Sequence, residues 1–139
     1  FIGSSAGAWI ASKVAFDAKL SYEPTDDLDT RWSSQPDFLV LLYGGMVDTW
    51  YDPVELDRIP KTFFAYTLDD PCVSPEESKK FKAVVEKFGK QSTVQIVEYP
   101  DGQHAWGDCN FYPEQKKYAC CQWRDLVKPF LFEKVLGVQ

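Results

Sequence analysis

The sequence predicts an α/β fold: a mostly parallel sheet flanked by helices. Two observations point to it. The runs Phe38 to Tyr43 and Thr62 to Leu68 are apolar throughout rather than alternating, the pattern of strands covered on both faces. Between such runs lie segments with apolar residues at helical spacing, and strands that alternate with helices imply a parallel sheet.

Taken in order, Phe1-Ile2-Gly3 reads as the last residues of a strand running into a tight turn. The chain thus begins where an element is finishing, and an upstream segment is expected. Ala6 to Lys19 carries Trp9, Ile10, Val14 and Phe16 with alanines between them, which predicts a largely buried helix whose small first residues permit close packing. Ser21 to Gln35, with Pro24, Asp26, Asp27 and Asp29, reads as a surface loop. The strand Asp37 to Tyr43 is ended by Gly44-Gly45. Ser74-Pro75-Glu76-Glu77 supplies an N-cap, a first-turn proline and an acidic third position, followed by Phe81, Val84, Val85 and Phe88 at helical spacing and Gly89 as the stop. Val94 to Tyr99 has more polar residues at alternate positions, as suits the outermost strand. Gln122 to Leu136 predicts a last helix, kinked or split by Pro129.

The 139 residues include 15 Lys and Arg against 21 Asp and Glu, a net charge of −6, with 45% hydrophobic residues. That is a globular composition, and the length suits one domain. The acidic balance and the lack of a basic cluster give no footprint for nucleic acid or an anionic membrane surface. The apolar runs are far shorter than the roughly 20 residues of a bilayer span, and the first residues do not read as a signal peptide.

Gly3-Ser4-Ser5-Ala6-Gly7 is a G-x-S-x-G motif at a strand end and helix start, the context this motif requires. A sharp strand-to-helix reversal lifts the central Ser5 to a strained apex, and glycines beside it avoid a clash across the turn. The competing reading is an ordinary Gly/Ser turn. A serine hydroxyl needs a base, and the base needs a carboxylate to orient it. The chain's single histidine, His104, lies in a turn-rich loop after the third apolar run, and Asp69-Asp70 follows the strand ending near Leu68. All three groups would then sit at the carboxyl rim of the sheet, where open α/β sheets place their sites. The alternatives are a solvated loop imidazole and a carboxylate that merely caps the turn before Pro71. Spacing alone does not separate Asp69 from Asp70.

The order Ser5, Asp70, His104 is that of the α/β-hydrolases. Thr62 to Pro75, an apolar strand leading to Asp-Asp-Pro-Cys-Val-Ser-Pro, resembles the acid segment of acetyl esterase and acetyl xylan esterase-like members of that superfamily. Val97 to Gly107 is similar to their strand and histidine loop, and Pro36 to Tyr43 to their R-P-D-F strand. The resemblance implies that residues 1–139 form the C-terminal half of an α/β-hydrolase domain, with the upstream strands missing. It implies Ser5 as nucleophile, His104 as base and Asp70 as triad acid. It implies short-chain acyl esters, often acetyl on carbohydrate, as substrates. The N–H of Ala6 supplies one oxyanion-hole donor. The second belongs to an upstream glycine-rich loop that this sequence does not contain, and losing one donor typically costs about 100- to 1000-fold in turnover. The missing part, as an upstream segment or a second chain, is expected to complete the sheet, since an uncovered apolar edge invites aggregation.

Trp106 and the Trp50-Tyr51 pair can form an aromatic wall against a sugar or an apolar alcohol, or else pack as ordinary core. No cofactor is called for, and metal ligation is not expected because the cysteine spacing is wrong for paired thiolates. Cys109 with Cys120 or Cys121, and Cys72 with the remainder, would make two bridges suited to an extracellular setting; buried free thiols are the alternative. A serine exopeptidase and a non-catalytic binding or structural subunit are the competing functional readings.

Overall fold

The computed structural model describes residues 1–16, 35–45, 52, 56–110 and 113–138. The predicted loop 21–35 therefore lies almost wholly outside the described residues, as does Trp50. Four strands, β1 (Ile2–Ser4), β2 (Phe38–Leu42), β3 (Lys61–Thr67) and β4 (Val94–Tyr99), form one sheet in the order β1-β2-β3-β4. Every neighbouring pair is parallel, with Gly3 beside Leu41, Leu41 beside Phe64 and Phe64 beside Ile96. The strand read as outermost, β4, stands at one end of the sheet formed by the described residues. No helix among the described residues is long and apolar enough to cross a membrane.

The continuous apolar runs divide between the two faces by simple alternation. Leu39, Leu41, Phe64 and Tyr66 join one core with Phe81 and Val85 of α2 (Pro75–Lys87) and with Ala8, Ala11 and Ala15 of α1 (Ala6–Phe16). Val40, Leu42, Phe63 and Ala65 join the other core, closed by Val127 and Phe130 from the C-terminal segment. Burying both faces is what a run such as Phe63-Phe64-Ala65, fully inaccessible at every position, requires.

Helix α1 departs from the expectation that its large residues would be buried: Trp9 is 44% and Ile10 55% exposed. The sheet-facing stripe is instead Ala8, Ala11, Ser12 and Ala15, at helical spacing. The reason is the close approach of the helix to the sheet. A Cβ on Gly44 would stand 2.3 Å from the Cβ of Ala8, so only small residues fit between them.

Helix α2 begins as read. The Ser74 hydroxyl accepts the Glu76 N–H, Pro75 occupies the first turn, and Gly89 follows the C-terminus at φ +66°. The Glu77 carboxylate accepts a bond from Lys80 at 2.8 Å. At the C-terminus, α3 (Trp123–Pro129) runs into a π-helical turn, Phe130–Val135. Its bonds include Leu136 N–H to the Leu131 carbonyl at 3.0 Å, and the helix changes character at Pro129, as a ring lacking an N–H demands.

One disulfide forms, Cys109–Cys121, not two. Cys72 stays exposed and Cys120 stays buried as free thiols. Cys120 is packed beneath the backbone of Gly102, where a Cβ would lie 2.5 Å from its Sγ, and that inward position separates it from exposed Cys72.

Burial, reinforced by the nearby Asp101 carboxylate, pushes the Cys120 thiol up from 9.0 to about 11. Burial also lifts the Tyr99 phenol from 10.0 to about 12. Both groups ionise earlier in the unfolded chain, so the stability they contribute is complete below pH 9 and is lost as pH rises through about 11 and 12. Urea midpoints should therefore fall from pH 9 upward, and Cys120→Ala should flatten the first part of that decline; an unchanged slope would contradict the assignment.

Candidate active site

The reversal between β1 and α1 is set by the backbone. Ser5 has φ +51°, in the left-handed region that a side chain rarely occupies, and its N–H is held at 2.9 Å by the Leu42 carbonyl of β2. A Cβ on Gly3 would stand 2.4 Å from the Gly7 carbonyl oxygen, so Gly3 is obligatory. Gly7 is different: a Cβ there would meet nothing within 4 Å, and the steric argument made for both glycines holds only for the first.

Ser5 Oγ lies 2.9 Å from His104 Nε2, and His104 Nδ1 lies 2.7 Å from Asp70 Oδ2. A carboxylate has only lone pairs to offer, so the Nδ1–H donates to Asp70 and Nε2 is left to accept from the Ser5 hydroxyl. The other Asp70 oxygen, Oδ1, accepts the N–H groups of Cys72 and Val73 at 2.8 and 2.9 Å. Its side chain is 3% exposed and that of His104 15%, so the carboxylate is the shielded end of the line. Ala6 is the first residue of α1, where N–H groups have no acceptor within the helix.

Geometry separates the two carboxylates that spacing did not. Asp69 does not touch the imidazole; it accepts the Gly102 N–H at 3.2 Å and the Gln103 N–H at 2.8 Å. Thr67 Oγ1 adds a bond to the Gln103 carbonyl at 2.6 Å. These bonds hold a loop in which Gln103 and Ala105 both take positive φ, +62° and +58°. On the far side, Trp123 Nε1 donates to the Gly107 carbonyl at 2.8 Å.

Trp106 is not a substrate wall. It is 1% exposed and stacks edge-on against Tyr43 and Tyr99 in the core, because the left-handed turn at Ala105 sends its ring inward while His104 faces Ser5. Tyr43, unremarked in the sequence, follows β2 with its ring centroid 5.1 Å from that of His104 and 4.8 Å from that of Trp106. Its only sequence signal was its place at the end of an apolar strand before Gly44-Gly45.

Charge-assisted bonds to backbone N–H groups contribute about 1.5–3 kcal/mol each. Asp69→Ala should accelerate amide exchange at Gly102 and Gln103 by about 10- to 100-fold, with Asp69→Asn between it and the parent. Unchanged exchange would show that Asp69 does not hold the loop.

Neither a protein-family model nor a curated protein sequence matches the chain. Solved structures do. An alpha/beta hydrolase enzyme, MGS-M1, from a Medee basin deep-sea metagenome library superimposes with a TM-score of 0.70 at 19% identity, over 99% of this chain and 54% of its own. The acetyl ester-xyloside bifunctional hydrolase of Caldicellulosiruptor lactoaceticus gives 0.59 at 25% identity, over 91% and 56%. The carboxylesterase Cest-2923 of Lactobacillus plantarum gives 0.63 at 20% identity, over 95% and 57%. The chain thus spans little more than half the length of the structures it matches. Its four parallel strands and flanking helices are those of the α/β-hydrolase fold.

Proposed function

We propose that residues 1–139 are the C-terminal half of a serine carboxylesterase domain that cleaves short-chain acyl esters, acetyl esters on small molecules or carbohydrates foremost. The observation that carries this reading is the unbroken line of hydrogen bonds from Ser5 Oγ through His104 to Asp70. In this mechanism the Ser5 oxygen attacks the ester carbonyl carbon as Nε2 of His104 takes its proton. The Asp70 carboxylate stabilises the imidazolium, which then returns the proton to the departing alkoxide, releasing the alcohol. Water, deprotonated by the same nitrogen, cleaves the acyl-enzyme to free acid and Ser5. The Ala6 N–H at the start of α1 offers one hydrogen bond to the oxyanion. The name of the Caldicellulosiruptor hydrolase supports acetyl esters as the class to try first.

A further polypeptide, an upstream segment or a second chain, is proposed to pair with β1 and provide the second oxyanion donor. Support comes from β1 itself, three residues long and bonded only to β2 among the described residues. Phe1, Ile2, Trp9 and Ile10, all on β1 and α1 or beside them, are exposed.

A fluorophosphonate should label the full-length protein at Ser5, and Ser5→Ala or His104→Ala should abolish the adduct. Asp70→Asn should lower acetyl-ester turnover about 10⁴-fold. Hydrolysis of aminoacyl amides with no acetyl-ester activity would instead indicate an exopeptidase, and no labelling would remove the serine mechanism. Native mass spectrometry should find residues 1–139 continuous or associated with additional polypeptide; an active species of these residues alone would refute the completing segment.

A further inference from the structure

We propose that Asp70, Cys72 and His104 form a binding site for a thiophilic divalent cation of the zinc and cadmium class, and that such an ion switches off the Ser5 relay. The second half of this inference rests on the proposed function; the first does not. One donor atom from each of the three residues lies within 4.8 Å of the other two. A thiolate, an imidazole and a carboxylate make a donor set suited to zinc-class ions and foreign to Mg²⁺ or Ca²⁺, which take oxygen ligands.

The turn after β3 brings the set together. Asp70 Oδ1 gathers the N–H groups of Cys72 and Val73, so the carboxylate and the thiol share one tight turn, and Asp70 Oδ2 already holds the imidazole. Zinc-class bonds of about 2.0–2.3 Å place the donors of a tetrahedral site roughly 3.3–3.8 Å apart, so a donor as far out as 4.8 Å must close in by about 1 Å, while His104 Nδ1 and Asp70 Oδ2, now 2.7 Å apart, must part by roughly 0.6 Å to admit the ion. Cys72 is the member able to move, since it is exposed and outside any disulfide.

Binding releases the Cys72 thiol proton, and the imidazole proton passes from Nδ1 to Nε2, the cation taking its place between Nδ1 and Asp70. Water fills the remaining position. His104 is then a neutral ligand bound through Nδ1 with its proton on Nε2, the nitrogen that faces Ser5, and it no longer serves Ser5 as a base. The other sulfur cluster, Cys109, Cys120 and Cys121, does not compete, because two of its three sulfurs are joined to each other.

The test titrates Cd²⁺ into the full-length protein while following the ultraviolet thiolate-to-cadmium charge-transfer band, with fluorophosphonate labelling of Ser5 measured in parallel. One equivalent should raise the band. Cys72→Ser should weaken binding by more than about 100-fold, beyond the 10- to 100-fold typical for losing an outer-shell partner, and Cys120→Ser should retain the band. Saturating Cd²⁺ or Zn²⁺ should suppress Ser5 labelling, a chelator should restore it, Mg²⁺ should do nothing, and labelling of Cys72→Ser should be insensitive to the ion. Absence of the band, or its persistence in Cys72→Ser, overturns the site. A band that appears as expected in a protein never labelled at Ser5 supports the site and removes the esterase reading instead.

Discussion

Two neighbouring carboxylates at the end of β3 do different work, and the site depends on that division. Asp70 grips the imidazole at 2.7 Å, while Asp69 grips the backbone that carries it through Gly102 and Gln103. The parallel register makes this possible, because Thr67 lies beside Tyr99 and both strands therefore end at the same level. The histidine loop leaves β4 directly opposite the turn that leaves β3. Left-handed residues at 103 and 105 are costly to hold, at about 1–3 kcal/mol each, and the bonds from Asp69 and Thr67 offset that cost.

The strands were legible because their composition admits few alternatives. A run like Phe63-Phe64-Ala65-Tyr66 can be satisfied only where both faces are covered, and β2, β3 and β4 fall within a residue or so of the apolar runs that mark them. The turns that carry Ser5, Asp70 and His104 could be placed at strand ends from their residue types, but spacing did not choose Asp70 over Asp69, and only the folded loops bring the three side chains within hydrogen-bonding distance. Helix burial was less legible. Apolar density in α1 suggested a buried element, yet the buried stripe is defined by alanines, and the large side chains lie elsewhere.

What stayed hidden was whatever depended on loop dihedrals. Trp106 is two positions from His104, and nothing in its spacing reveals that a positive φ at Ala105 turns it into the core. Asp69, Tyr43 and Cys72 acquire their surroundings only once the loops are closed. The same holds for the choice of Cys121 over Cys120 as the partner of Cys109, since both lie on one short 3₁₀ turn and only the direction of each side chain distinguishes them.

The gap between α1 and the end of β2 has a consequence for variation. Ala8 and Gly44 share a space too small for one more methyl group, and the Ser5 carbonyl would stand 3.0 Å from a Cβ at position 44. Enlarging either residue drives the helix, and the serine at its head, away from the sheet. The two positions therefore form a single steric unit: a bulkier side chain at 44 is tolerable only with glycine at 8, so their substitution energies are strongly non-additive although they are distant in the chain.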